Sequence, residues 1–165
     1  MVRFAIVFAA IVLVLFGAEL TPPGQAYVVQ PWTTWIAQVA TLIAKAFDPS
    51  VVVFGPTLYS TTNGFNVTIL AGCNGLEAMI VLFAAILAYP APWKHRALGI
   101  AVGVVAIQVL NLVRIVSLFY IGQWNARVFE WAHLYAWQVL IMLDVLIVWL
   151  LWLRTIPRKP PAQPA

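Results

Sequence analysis

Residues 97–121, ALGIAVGVVAIQVLNLVRIVSLFYI, form an apolar run interrupted only by Gln108, Asn111, Arg114 and Ser117. A run this long reads as a helix that crosses a bilayer, since about 20 residues span the hydrocarbon core. Three more apolar runs lie at about 4–20, 74–89 and 134–153. In lipid the backbone must satisfy its own hydrogen bonds, so these runs are expected to be helices. The chain is 64% hydrophobic and 8% charged, against about 25% charged residues in a soluble domain. No water-soluble fold of 165 residues can hide that much apolar surface. The expected class is therefore mainly α and integral to a membrane, with about four transmembrane helices.

The segments between the runs add two features. Residues 21–30, TPPGQAYVVQ, read as a turn-rich link. Residues 31–47 place Trp32, Trp35, Ile36, Val39, Leu42, Ile43 and Phe47 at helical spacing behind Pro31. That pattern predicts an amphipathic helix lying in the headgroup region, where tryptophan is favoured. Residues 51–70 are rich in β-branched and aromatic side chains, with turn chemistry at Gly55-Pro56 and Asn63-Gly64. They predict two or three short strands, a β-hairpin-like segment that delivers the chain into AGCNG. Residues 122–132 are expected to be a short loop. The basic, proline-rich residues 154–165 are expected to be a disordered cytoplasmic tail. Residues 1–153 then form a single membrane-embedded domain.

Charge sets the expected topology. Arg3, Lys94, Arg96, Arg154, Arg158 and Lys159 fall on one side, and Lys45 and Arg127 on the other. The richer side is assigned to the cytoplasm, which places both termini there and residues 21–72 and 122–132 outside. The net charge of +4 is thus a topology signal, and no basic stripe interleaved with aromatics supports nucleic-acid binding. Arg3 ahead of the first run would also suit a signal peptide. The length of that run, and the absence of a small-x-small site after it, favour a retained helix.

Chemistry concentrates near the outer ends of the runs. Cys73 is the only cysteine, which excludes an intramolecular disulfide and a multi-cysteine metal site. His95 and His133 are too few and too separated to suggest zinc. Gly72 and Gly75 flank the thiol closely enough to admit a substrate backbone. Glu77 lies one turn beyond Cys73 on the same helix face. Arg114 is about 10 Å below the outer end of its span, and an arginine that deep costs at least ~2.5–3.5 kcal/mol on insertion scales. It shares a face with Gln108, Asn111 and Ser117, a polar stripe expected to turn toward neighbouring helices.

Two uses of Arg114 compete: an ion pair with Glu77, or a cation beside the thiol. His133, at the outer start of the fourth run, is placed to exchange a proton with Cys73. His95 falls in the opposite loop, and Asp144 lies too deep to orient His133; it is expected to bond Gln108 or another buried donor near the midplane, or to be protonated. Convergence of thiol, cation and imidazole suggests thiol catalysis. A non-catalytic membrane ligand-binding or scaffold subunit is the alternative, in which the polar stripe lines a pocket or Arg114 merely neutralises Glu77.

CNGLEA at 73–78, NLVRI at 111–115 and His133, in that order on successive spans, resemble the exosortase/archaeosortase family of membrane transpeptidases. The resemblance covers roughly residues 66–153 and looks most like the short, H-type exosortases. It implies Cys73 as nucleophile and Arg114 and His133 as its catalytic partners, with Glu77, Asn111, Gly72 and Gly75 in support. It implies no metal and no organic cofactor. The implied partners are exported proteins whose C-terminal sorting signal combines a short motif, a hydrophobic helix and a basic tail. Cleavage would occur on the outer face of the bacterial cytoplasmic membrane.

Overall fold

A computed structural model describes residues 2–156. Helix α1 (Val2–Glu19) is followed by the short α2 (Pro22–Gly24), a π-helical turn (Gln25–Val29) and α3 (Gln30–Lys45). Strands β1 (Val51–Phe54), β2 (Thr57–Ser60) and β3 (Asn66–Thr68) come next. The chain then forms α4 (Leu76–Ala88), α5 (Trp93–Trp124), α6 (Ala126–Trp131), a second π-helical turn (Ala132–Ala136) and α7 (Trp137–Thr155). Mainly helical architecture with one small sheet is what the composition and the β-branched segment predict.

Among the described residues, three helical stretches are long and apolar enough to cross a membrane: Val2–Glu19, Trp93–Trp124 and Ala126–Thr155. The expected second crossing, 74–89, is a shorter helix of 13 residues, about 20 Å long. Helix α4 is the hub of the bundle, in contact with α1, α5 and α7, and α5 also packs on α7. Small residues allow the close approach: Gly103 of α5 lies directly under the buried Leu82 of α4. The core of this region joins Met79, Leu82, Ile86, Ile107, Ile141 and Val145. At the end of the bundle that holds Arg3 and Arg96, the Trp152 indole donates to the His95 carbonyl at 2.9 Å, so His95 belongs to the first turn of α5 rather than to a loop.

The opposite end carries a cap. Its sheet has the order β1-β2-β3, antiparallel throughout, with Val52 opposite Tyr59 and Leu58 opposite Val67. Helix α3 packs on β1, β2 and α5, and Ile36, Ala40, Val51, Leu58, Ile115 and Phe119 form a second core. Helix α3 is amphipathic, but the face turned to the protein is the small one: Thr33, Ile36, Ala37, Ala40, Thr41 and Ala44 are buried. Trp35, Leu42, Ile43 and Phe47 of the expected apolar stripe are exposed. Small side chains let α3 sit close on the sheet, and the bulky ones are left for lipid.

Two connections differ from expectation. The link 21–30 is helical: the Thr21 hydroxyl accepts from the Gly24 N–H at 3.1 Å, and the following prolines take the first helical positions, where no backbone donor is needed. The expected loop 122–132 is reduced to one break at Asn125, whose side chain caps α6 by accepting from Arg127 and Val128 N–H at 2.9 and 3.1 Å. The helix α7 runs through Arg154 and Thr155; the rest of the tail, from residue 157, lies outside the described residues. Gly103→Val should lower stability by about 1–3 kcal/mol through overpacking against Leu82, read as an earlier thermal transition in detergent.

Candidate active site

The thiol sits in a turn between the two cores. Ile69 ends the sheet by donating its N–H to the Pro56 carbonyl at 2.9 Å, and Cys73 donates its N–H to the Leu70 carbonyl at 3.0 Å. Gly72 and Gly75 on either side adopt positive φ, +86° and +77°, a backbone conformation that disfavours other residues. The two glycines differ in their surroundings. Gly72 is open, with Glu77 Oε1 3.9 Å from where a Cβ would stand. Gly75 is roofed by α5, and a Cβ there would stand 2.7 Å from Gln108 Nε2 and 3.2 Å from Asn111 Nδ2. Access therefore belongs to Gly72, and Gly75 serves the close packing of α4 under α5.

Three elements converge on the sulfur. His133 Nε2 lies 3.4 Å from Cys73 Sγ, and Arg114 Nη2 donates to the same sulfur at 3.6 Å. Arg114 is 3% exposed. His133 lies in the second π-helical turn, the kind of local irregularity that re-aims side chains at functional sites. Phe129, one turn earlier, stacks on its imidazole with centroids 5.7 Å apart. Beside the three groups is a cavity of about 100 Å³ whose wall includes Val67 and Thr68 of β3. Among the described residues the other edge of β3 has no strand partner.

The carboxylate goes elsewhere. Among the described residues no ion pair joins Glu77 to Arg114; the Glu77 side chain instead lies within hydrogen-bonding reach of Glu19 at the end of α1. Glu19 is buried and its sequence context gave no sign of this contact, because the chain between the two carboxyls must fold back to make it. Asp144 is buried in α7 with Oδ2 lacking a partner. The expected bond to Gln108 does not form, because the Gln108 amide donates to the Asn74 carbonyl at 3.4 Å and to Met79 Sδ at 3.5 Å. The buried Asn111 amide has no protein partner among the described residues.

Burial pushes the Cys73 thiol up from its ordinary value, Arg114 pulls it down, and Glu77 adds to the rise. The net direction is upward, although Arg114 acts in the lowering direction expected of a cation beside the thiol. Desolvation of a sulfur anion outweighs one cation at 3.6 Å. A thiol within reach of an imidazole is an arrangement that suits proton removal at the moment of attack.

Arg114 also lines a second, larger cleft of about 390 Å³ with Gly72, Gly75, Glu77 and Asn111 near the thiol and apolar side chains of α1, α4 and α7 beyond them. Helices α1 and α7 both pack on α4, and the cleft runs between them. Phe4 against Trp149, centroids 6.1 Å apart, closes the gap between α1 and α7 at the far end.

A model of the family described as Transmembrane exosortase (Exosortase_EpsH) matches residues 2–152. No curated protein and no solved structure matches the chain. Removing each charge near the sulfur should move the thiol in a known direction. Arg114→Gln should shift the midpoint of Cys73 alkylation by iodoacetamide to higher pH, and Glu77→Gln should shift it to lower pH, both read from rate–pH profiles.

Proposed function

Because the chain belongs to the transmembrane exosortase family, a family of membrane transpeptidases that act on C-terminal sorting signals, we propose that Cys73, Arg114 and His133 carry out that reaction here through a thioester. The observation that supports this reading best is the meeting of Cys73 Sγ with His133 Nε2 at 3.4 Å and Arg114 Nη2 at 3.6 Å, from a loop and two helices far apart in sequence.

In the first half-reaction His133 Nε2 takes the Sγ proton as the sulfur attacks the scissile carbonyl. The Arg114 guanidinium stands beside the developing oxyanion. Collapse of the tetrahedral intermediate breaks the C–N bond, and His133 returns its proton to the departing amine. The carboxyl half of the peptide bond is then held as a thioester on Cys73. In the second half-reaction an acceptor nucleophile or water attacks the thioester, gives a proton to His133 and releases the thiol.

Substrate binding follows from the same surroundings. An extended sorting motif would add as a strand to the free edge of β3, with main-chain hydrogen bonds supplying affinity. Its carbonyls would then run past the cavity that β3 shares with the thiol. The hydrophobic helix of the signal would lie along the mouth of the larger cleft. The basic tail of the signal would lie at the end of Arg3, Arg96 and Arg154, on the cytoplasmic side, with the thiol end facing outward across the bacterial cytoplasmic membrane.

Co-expression with a tailed substrate tests the assignment. Cys73→Ala should abolish processing, and Cys73→Ser should leave at most a trace. A mass increment equal to the acyl fragment, labile to hydroxylamine, should be found on Cys73 of the wild-type chain. Processing unchanged in Cys73→Ala, with substitutions along the large cleft still harmful, would instead favour a ligand-binding subunit.

A further inference from the structure

The residue after the thiol is held from more directions than the thiol itself. Asn74 is 0% exposed. Its side-chain Nδ2 donates to Thr33 Oγ1 at 2.9 Å, and its Oδ1 accepts from the Leu76 N–H at 2.9 Å. Its backbone carbonyl accepts from the Trp32 indole at 3.2 Å and from the Gln108 amide at 3.4 Å. One residue is thus tied to α3 twice, to α5 once and to the first turn of α4 once.

We propose that Asn74 is a positioning residue for the nucleophile, and that Trp32 and Thr33 make the cap helix α3 part of the catalytic apparatus through it. Cys73 is flanked at Gly72 and Gly75 by residues with positive φ and no side chain to anchor them. Glycine is the residue with the widest backbone freedom, so the turn's own Cys73–Leu70 bond does not by itself fix where the sulfur points. The bonds to Asn74 do. A trans peptide directs its N–H and C=O to opposite sides. Holding the Asn74 carbonyl on Trp32 and Gln108 therefore fixes the plane of the Asn74–Gly75 peptide and turns the Gly75 N–H away from α3. The side-chain bonds fix the same residue about its other axis. With Asn74 immobile, Cys73 has one backbone bond of its own, to Leu70, and the geometry to His133 and Arg114 is set.

The inference also accounts for the inward turn of the first residues of α3. It begins with Trp32 and Thr33 turned inward, and Thr33 Oγ1 completes its own bonding by donating to the Val29 carbonyl at 2.7 Å. The hydroxyl is therefore a fixed acceptor for Asn74 and not a rotor. Trp32 lies against Trp35, centroids 5.2 Å apart and planes tilted by 34°, which holds its indole N–H in register with the Asn74 carbonyl.

This proposal rests on the thiol reading, and its test separates the two. Trp32→Phe deletes the indole donor while keeping an aromatic ring, and Thr33→Val deletes the hydroxyl at nearly constant shape. Neither residue lines the cavity beside the thiol or the larger cleft. Each should lower kcat for a tailed substrate by about tenfold to a hundredfold, the scale expected for a reacting group misplaced by about 1 Å, with KM changed less than about twofold. Each should also slow iodoacetamide modification of Cys73 or shift its pH profile, with the thermal transition in detergent near that of wild type. Thr33→Ser, which keeps the hydroxyl, should restore both. Wild-type kcat and alkylation in Trp32→Phe and Thr33→Val would overturn the proposal, as would losses that track a lowered thermal transition and that Thr33→Ser fails to rescue. Alkylation reads the position of the thiol whether or not the thiol is the nucleophile, so normal processing by Cys73→Ala would sink the thiol reading and leave the positioning result intact.

Discussion

A guanidinium buried on a membrane helix decides which way that helix faces. Arg114 cannot be left in lipid, so the side of α5 that bears Gln108, Asn111 and Arg114 turns inward, and all three are buried. The rest of the arrangement depends on that rotation. Gln108 and Asn111 come to lie over Gly75, where only a residue without a side chain fits. Helix α4 can then start directly beneath α5, and the turn that precedes it brings the sulfur to the arginine. The opposite side of α5 shows Val102, Val105, Val109 and Val113 to the surroundings, as a lipid-facing side should.

Arg114 had two candidate partners, and their difference has chemical weight. Paired with a carboxylate, its charge would be largely spent on structure. With Cys73 Sγ as its hydrogen-bond acceptor and a place on the walls of both cavities, it remains available to a reacting oxygen. Glu77 instead stands beside Glu19 at the end of α1. That contact links the first helix of the chain to the first turn of α4, next to Gly72, the open side of the thiol.

The cap and the bundle meet at the turn 69–75. The sheet ends there, α4 begins there, and the two cores lie on either side of it. A strand edge free for pairing stands on one side of the sulfur, and an apolar cleft between α1 and α7 opens on the other. A sorting signal has the same order of parts, an extended motif followed by a hydrophobic helix. The match between the two gives the proposed reading its support beyond the family assignment.

Much of this was legible in the chain alone. Apolar length announced the membrane helices, β-branched and aromatic residues between turn signals announced the sheet, and an arginine inside an apolar run announced an inward-facing polar stripe. Cys73, Arg114 and His133 could be placed near one surface because each sits a countable distance from the end of a helix. Such counting fixes depth along an axis and says nothing of rotation about it or of which helices are neighbours. Hence the choice between Glu77 and Cys73 as the partner of Arg114, the Glu19–Glu77 contact and the inward turn of the small face of α3 all waited on tertiary packing. Asn74 shows the limit most clearly: a residue that reads as a turn former between a cysteine and a glycine is held by donors from α3, α4 and α5. No local pattern encodes that, because its partners lie up to 42 positions away and meet it only when the cap closes on the bundle.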